Sequence, residues 1–192
     1  GLDEEKIIQS ISPIKDVDGL SNENLGLLAS GNPRFVPATP LGVQVLLHEI
    51  NAKTEGSNIV IIGRSKLVGI PLALLLSSKS DLGNASVTIC HSKSKNIKAH
   101  TINADIVVVA TGFPHTLTAD MVRKDSVVID VGVNRIEDKS KKNGYRLIGD
   151  CDFEEIYEIA SKITPVPGGV GPMTIAMLLK NVTKAFLLNV KK

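Results

Sequence analysis

The stretch that decides the fold is Asn58-Ile59-Val60-Ile61-Ile62-Gly63-Arg64-Ser65-Lys66-Leu67-Val68-Gly69-Ile70-Pro71. Its first five residues are an apolar run that ends at a glycine, which predicts a buried strand. A helix over 70–77 follows, so a glycine-rich turn joins a strand to a helix. Such a turn offers backbone N–H groups to phosphates. Its glycines are six residues apart, unlike the Gly-x-Gly-x-x-Gly fingerprint, and a plain strand–helix turn fits this motif equally well.

The alternation of strands and helices continues on both sides of this stretch. Further strands are predicted at 86–90, 105–110, 126–131 and 146–149, and helices at 3–11 (with Asp3 as its N-cap), 41–53, 118–123 (capped by Thr118), 152–160 and 173–188. Residues 13–40 and 165–172 are rich in Pro and Gly and are predicted to be irregular. Alternating strands and helices predict an α/β fold with a doubly wound, Rossmann-like parallel sheet.

Composition limits the classes of partner. Hydrophobic residues make up 43% of the chain and aromatic residues 3%, so the core must be mainly aliphatic. The net charge of +2 is too small to indicate nucleic acid or a membrane surface. Cys90 and Cys151 are isolated and lack metal-ligand spacing, which favours reduced thiols in the cytoplasm and no bound metal.

Two polar clusters follow the first two strands. Arg64 lies in the glycine-rich turn, and the second strand ends at Cys90 before His91-Ser92-Lys93-Ser94. Rossmann domains that select NAD usually carry an acidic residue at this second position, where it bonds the ribose hydroxyls. Hydroxyl groups and positive charge suit a 2′-phosphate instead, so the sequence favours NADP. A solvated polar loop is the alternative.

Small residues end the next two strands. Thr111 and Gly112 follow the third strand, and Gly132-Val133 follows the fourth. Ligands of open α/β sheets lie beyond the carboxyl ends of the strands. Small residues there would let a nicotinamide ring approach the backbone, although ordinary strand-ending glycines explain each position singly.

Five motifs in a fixed order carry a resemblance to a known family. They are Lys15–Gly19, Thr39–Gly42, Gly63–Pro71, Cys90–Lys93 and Pro165–Thr174, the last of which (Pro-Val-Pro-Gly-Gly-Val-Gly-Pro-Met-Thr) is the most specific. Together they resemble the bifunctional methylenetetrahydrofolate dehydrogenase/methenyltetrahydrofolate cyclohydrolase family. The resemblance covers essentially the whole chain.

The resemblance implies roles for individual residues. Cofactor-binding residues would be Gly63, Arg64, Ser65, Ser92, Thr111, Gly112 and Val133, with Arg64 and Ser92 meeting the 2′-phosphate. Asp18 would hold the folate pterin, because a carboxylate accepts two N–H bonds from its edge. A turn or an Asx cap is the alternative for Asp18. Pro167, Gly168, Gly169, Val170 and Gly171 would form the substrate-side loop.

The chain departs from the family at the catalytic pair. The family uses Tyr-x-x-x-Lys, but neither Tyr145 nor Tyr157 is followed by Lys four residues later. We therefore identify no catalytic residue in this chain. We expect that about a hundred residues, roughly a domain's worth, precede it in a longer parent protein.

The resemblance also implies a domain organisation. Residues 1–40 would be the tail of a second, folate-binding α/β catalytic domain and 41–56 a connecting helix; 57–164 would bind NADP, and 165–192 would return to the catalytic domain. The parent would oxidise 5,10-methylenetetrahydrofolate with NADP and hydrolyse the product to 10-formyltetrahydrofolate, as a homodimer. A non-catalytic NADP-binding module is the alternative.

Overall fold

A computed structural model describes residues 3–190. In chain order its elements are α1 (Glu4–Ser10), α2 (Asn22–Ala29), α3 (Ala38–Glu49), β1 (Asn58–Ile62), α4 (Gly69–Ser77), β2 (Ser86–Cys90), α5 (Ile97–Thr101), β3 (Ile106–Val109), a 3-10 turn (Ala119–Met121), β4 (Val127–Asp130), β5 (Asn134–Glu137), β6 (Tyr145–Ile148), α6 (Phe153–Tyr157), β7 (Lys162–Ile163) and α7 (Val170–Val190).

The centre of the fold is a parallel five-stranded sheet in the order β2-β1-β3-β4-β7. Successive residues of β1 face opposite sides, so Ile59 and Ile61 pack with α3 and α4 while Val60 and Ile62 pack toward α6. Helices therefore cover both faces of the sheet. This confirms the predicted doubly wound, Rossmann-like fold, and it explains why the inner strands β1, β3 and β4 are mainly Val and Ile.

Several helices differ from the predictions. Helix α2 lies inside the segment predicted to be irregular; it buries the polar Asn24, so it shows little apolar periodicity. Helix α3 begins at Ala38, three residues before its predicted start, and α5 was not predicted.

A 3-10 turn replaces the helix expected at 118–123; Thr118 makes no capping bond and donates its hydroxyl to Asp120 Oδ1 at 2.6 Å. Asp3 caps α1 as predicted.

The strand predicted at 146–149 does not join the central sheet. It is β6, which pairs antiparallel with β5 in a separate two-stranded ribbon. The fifth parallel strand is β7, two residues long, and is too short to produce a periodic pattern. β6 pairs with β5 rather than with the central sheet because the short turn ending at Gly144, where φ is +72°, brings the two strands together.

The long helix α7 packs against α3 and returns to the first residues of the chain. Thr39 and Thr174 share a hydrogen bond of 3.1 Å between their hydroxyls, and a Cβ on Gly42 would stand 3.2 Å from Met173 Cβ. The Asn181 amide donates to the carbonyl oxygens of Val17 and Val36, both at 2.8 Å. The division of the chain at residues 40, 56 and 164 stays a prediction. No helix within 3–190 is long and apolar enough to cross a bilayer.

Candidate functional site

The carboxyl ends of the central strands form one edge. Strand register places Cys90, Ile62, Val109 and Asp130 side by side in a row. Three backbone bonds extend this row beyond the strands: Gly63 N to Cys90 O (2.8 Å), Ala110 N to Ile62 O (2.8 Å) and Val131 N to Val109 O (2.9 Å). The predicted cofactor residues that follow these strands therefore start from one edge of the sheet.

The turn after β1 requires glycine at two positions. Gly63 has φ +134°, and a Cβ there would stand 2.3 Å from the Ala110 carbonyl oxygen. A Cβ on Gly69 would stand 2.1 Å from the Gly63 carbonyl oxygen. The Ser65 hydroxyl accepts the Val68 amide at 3.1 Å and stabilises the turn. The first residue of α4 is thus held against the end of β1, which brings the helix N-terminus to the strand-end edge.

The turn carries two basic side chains, and Arg64 is the one whose guanidinium contacts no acidic or polar partner within residues 3–190. It is exposed, and it has no hydrogen-bond or ion-pair partner within residues 3–190. Lys66, by contrast, pairs with Glu5 at 3.0 Å. An exposed guanidinium beside a helix N-terminus is available to an anionic ligand. The predicted role of Arg64 stays a prediction.

The turn after β2 is held by His91 and leaves Ser92 accessible. The His91 amide donates to Ser94 Oγ at 3.0 Å, and the Lys93 amide donates to His91 Nδ1 at 3.1 Å. His91 therefore shapes the turn through its ring nitrogen. Ser92 lies at the exposed tip of this turn, two residues past the end of the strand that neighbours β1.

Two buried aspartates that the sequence analysis missed tie these strand ends together. Asp150 is 0% exposed and Asp130 2%. Asp150 accepts bonds from Thr111 and Gly112, and Asp130 accepts the amides of Gly132 (3.0 Å), Asp150 (3.0 Å) and Cys151 (2.8 Å). Burial raises the pKa of Asp130, although the two amides of Asp150 and Cys151 oppose this. The only sequence signal was a glycine directly before Asp150 and another two residues after Asp130.

The same carboxylates explain two neighbouring glycines. A Cβ on Gly132 would stand 2.0 Å from Asp150 Oδ1, and a Cβ on Gly149 would stand 1.9 Å from Asp130 Oδ2. Burial, and after it the Asp130 charge, also raises the pKa of the Cys151 thiol far above its usual range. Cys151 is therefore a packed, unreactive thiol.

A cavity of about 390 Å³ brings predicted cofactor and substrate residues together. Its walls come from Val131–Val133 after β4 and from the loop Pro165–Pro172 before and within the first turn of α7. Gly168 has φ +106°, and a Cβ on Gly169 would stand 2.6 Å from the Pro165 carbonyl oxygen, so the loop requires glycine. Val133, predicted to face the nicotinamide, and the predicted substrate-side residues Pro167, Gly168, Gly169, Val170 and Gly171 line one space.

Asp18 lies outside that cavity, in a rigid loop. Gly19, with φ +69°, packs against the Phe35 carbonyl, and Asn181 holds the Val17 carbonyl. The Asp18 residue is exposed and makes no hydrogen bond within 3–190. Partial desolvation and the charge of Asp16 raise the pKa of its carboxyl group. An accessible carboxylate on an anchored stretch of backbone is a candidate ligand group.

A comparison with protein families decides the assignment. Residues 37–190 match the family model described as the NAD(P)-binding domain of tetrahydrofolate dehydrogenase/cyclohydrolase. The chain belongs to this family. The family resemblance of the five motifs is thereby confirmed, as is a nicotinamide dinucleotide as the cofactor of the domain.

Individual relatives of this family agree. The bifunctional protein FolD of Pelodictyon phaeoclathratiforme is 54% identical over 187 residues, which are 96% of this chain and 63% of that protein. The 5,10-methylenetetrahydrofolate dehydrogenase of the silkworm Bombyx mori superposes over 100% of this chain and 65% of its own, with a TM-score of 0.91 and 44% identity.

A third relative was solved with ligands bound. The Trypanosoma brucei methylenetetrahydrofolate dehydrogenase-cyclohydrolase, complexed with NADP and an inhibitor, is 38% identical, with a TM-score of 0.92 over 100% of this chain and 64% of its own. The chain thus spans less than two thirds of the length of each of these family members.

Proposed function

We propose that this chain binds NADP and, as part of a longer parent protein, oxidises 5,10-methylenetetrahydrofolate and hydrolyses the methenyl product to 10-formyltetrahydrofolate. The observation that carries this proposal is the cavity shared by Val133 and the loop Pro167–Gly171. Residues expected on the cofactor side and on the folate side face the same space there. Hydride transfer requires the two reacting carbons to be held in contact, and a shared cavity permits this.

The strand-end edge fits a dinucleotide. The Gly63–Gly69 turn leaves no room for side chains at its two glycines and brings the start of α4 to this edge. Backbone N–H groups at a helix start favour a pyrophosphate. Arg64 and the Ser92 hydroxyl then supply a charged fork and a donor for a 2′-phosphate, without an acidic residue that would repel it. This arrangement supports NADP over NAD.

The chain contributes position rather than acid–base chemistry. Bound beside these residues, NADP would supply the acceptor for the hydride of the folate methylene carbon. Val133 and Gly132 bound the cavity with small or aliphatic groups, so a ring can lie against the backbone. The methenyl carbon is then electrophilic, which lets water attack it in the same site.

Asp18 anchors the folate in this proposal. Its carboxylate is accessible and held by a loop that Asn181 ties to α7, the helix that begins in the substrate-side loop. A carboxylate can accept two N–H bonds from the pterin edge. Asp18 and the Pro167–Gly171 loop would then bind different parts of one substrate, the pterin and the region near the reacting carbon.

The parent protein would supply the Tyr-x-x-x-Lys pair that this chain lacks. A chain that works without it would be a non-catalytic NADP-binding module, which is the second candidate function. We further propose, from the family resemblance of the five motifs alone, that the parent is a homodimeric cytoplasmic enzyme of one-carbon metabolism that supplies formyl groups for purine biosynthesis.

The test is to incubate the purified chain with NADP⁺ and 5,10-methylenetetrahydrofolate while measuring NADPH formation and, separately, NADP⁺ binding. The same two measurements are made on the parent protein. Binding by both with turnover by the parent supports the proposed enzyme. Binding without turnover by either supports the non-catalytic module. Absence of NADP⁺ binding by both would contradict the two functions together.

A further inference from the structure

Asp150 occupies an unusual position among the buried carboxylates of the strand-end edge. Its Oδ2 accepts three bonds: from the Thr111 amide (2.7 Å), the Thr111 hydroxyl (2.9 Å) and the Gly112 amide (2.9 Å). Its Oδ1 accepts the Asn134 amide at 2.8 Å. Every partner of the two oxygens is a donor, so the site requires a group that only accepts.

The segment that Asp150 holds is the one expected to contact the cofactor. Both N–H groups and the hydroxyl of Thr111-Gly112 point inward to the carboxylate, so these donors are not available to a ligand. A Cβ on Gly112 would meet nothing within 4 Å, and the next residue, Phe113, is 71% exposed. The outer surface of the segment is therefore open, while its inner surface is fixed by one side chain.

The backbone around Asp150 secures the rest of this loop. The Asp150 carbonyl accepts the Thr116 amide at 2.7 Å, and the Asp152 amide donates to the Leu117 carbonyl at 2.9 Å. Asp130, at the end of β4, accepts the amides of Asp150 and Gly132. The loop after β3 and the loop after β4 are thus linked through the two aspartates.

We propose that Asp150 is a positioning residue for the dinucleotide site: its carboxylate fixes Thr111-Gly112 and couples that segment to the Gly132-Val133 end of β4. This inference rests on the proposed NADP binding. The β5–β6 ribbon has a role in it, because β5 provides Asn134 and β6 leads directly to Asp150. Without the carboxylate, the two loops would keep their strands but lose their fixed spacing at the cofactor.

Asp150→Asn is the sharpest test, because it keeps the shape and removes one acceptor. In either orientation the new NH2 group faces donors, from Thr111-Gly112 or from Asn134. We expect NADP affinity to fall on the order of tenfold, because displacement of positioning groups can cost this much or more. We also expect the Thr111 and Gly112 amides to lose protection in hydrogen exchange, while the amides in the middle of β1 and β3 keep theirs.

Asp105→Asn is the matched control. Asp105 accepts the Asn58 amide at 2.7 Å and pairs with Arg123 at 2.7 Å, at the opposite edge of the same sheet. It should lower the melting temperature without changing NADP affinity. Asn134→Ala is a milder second variant if Asp150→Asn fails to fold; it removes only the Oδ1 and Gly149 O bonds and should weaken NADP binding by about twofold to fivefold.

The outcomes separate the inference from the function on which it rests. Unchanged NADP affinity in Asp150→Asn, or in Asn134→Ala where the first does not fold, would overturn the positioning role. An equal loss of affinity in Asp105→Asn would also overturn it, since general destabilisation would then be the cause. A wild-type chain that shows exchange protection at Thr111 and Gly112 but binds no NADP would instead contradict the proposed function and, with it, this inference.

Discussion

Gly69 lies so close to Gly63 that a Cβ on Gly69 would stand 2.1 Å from the Gly63 carbonyl oxygen and 2.9 Å from Arg64 Cα. Both obstacles are backbone atoms, which a side-chain rotation cannot move. The first residue of α4 and the first two residues after β1 therefore form one unit. The shape of the proposed phosphate-binding turn depends on this contact.

Gly69→Ala should consequently displace the turn. We expect a loss of about 1–3 kcal/mol in the free energy of unfolding, which is typical of forced overpacking, together with a large loss of NADP affinity. Urea unfolding and calorimetric titration measure the two effects. Gly26→Ala is the matched control, because a Cβ on this helical glycine meets nothing within 4 Å. It should stabilise α2 by up to about 1 kcal/mol, and normal NADP binding by Gly69→Ala would be evidence against the assigned turn.

Arg64→Ala should weaken NADP binding much more than NAD binding. The side chain has no partner within 3–190, so stability should change by less than about 0.5 kcal/mol. If the guanidinium binds the 2′-phosphate, NADP affinity should fall by about 10-fold to 100-fold, as expected for a charge-assisted bond, while NAD affinity changes little. Removal of the exposed Lys139 in the turn between β5 and β6 is the control for net charge. Equal losses of affinity for both cofactors would show that Arg64 does not contact the 2′-phosphate.

Asp18→Asn in the parent enzyme should act on the folate alone. The amide has one acceptor oxygen where the carboxylate has two, so it cannot pair a separate oxygen with each N–H, and the folate KM should rise on the order of tenfold. NADP affinity should stay unchanged. Because desolvation and Asp16 raise the pKa of Asp18, acidification should weaken folate binding of the wild type at a higher pH than an ordinary aspartate would. A pH profile of the folate KM checks this. A fall in NADP affinity instead would show that the pterin assignment is wrong.

Asp16 gives a stability prediction whose sign follows from its contacts. Burial alone would raise its pKa, but bonds from the Ser21 and Leu20 amides and the Asn24 side chain outweigh this and lower it below 3.8. A lowered folded pKa contributes stability that is present above the unfolded pKa and is lost as pH falls through the folded pKa.

Asp16→Asn should therefore lower the free energy of unfolding by about 1–3 kcal/mol at neutral pH. The difference in this free energy between variant and wild type should become smaller as the pH drops below 3.8. Urea unfolding across a pH series measures the gap. The exposed Asp81→Asn should show little effect at any pH. A gap that stays constant down to strongly acidic pH would mean that the charge of Asp16 contributes nothing.

The sequence predicted the parts of the fold that local patterns specify. β1 and β2 have the bounds expected of them: β1 is a buried apolar run that ends before Gly63, and β2 alternates exposed and half-buried residues up to the buried Cys90. Helix α2 was missed since its fully buried position is Asn24, a polar residue that bonds Asp16 and the Pro13 carbonyl. The ribbon was misassigned because pairing partners, unlike strands, are not encoded in one segment.

The sequence could nominate only some residues for the candidate site. Arg64 and Ser92 were named from turns that follow strands and Pro167–Gly171 from the family resemblance, and their roles stay predictions. Asp130 and Asp150 could not be named, because their importance comes from contacts between residues distant in sequence, 20 positions apart from Asp130 to Asp150 and 39 from Thr111 to Asp150. Single-sequence patterns carry no information on such pairs. The cavity that joins Val133 to the substrate-side loop likewise depends on tertiary packing.

The most direct test of the account is a calorimetric titration of the 192-residue chain with NADP⁺ and, separately, with NAD⁺. We expect a single site that binds NADP⁺ at least about tenfold more tightly than NAD⁺, a difference of about 1.4 kcal/mol in binding free energy. Arg64→Ala should lose this preference. Tighter binding of NAD⁺, or no binding of either cofactor by a folded chain, would contradict the account.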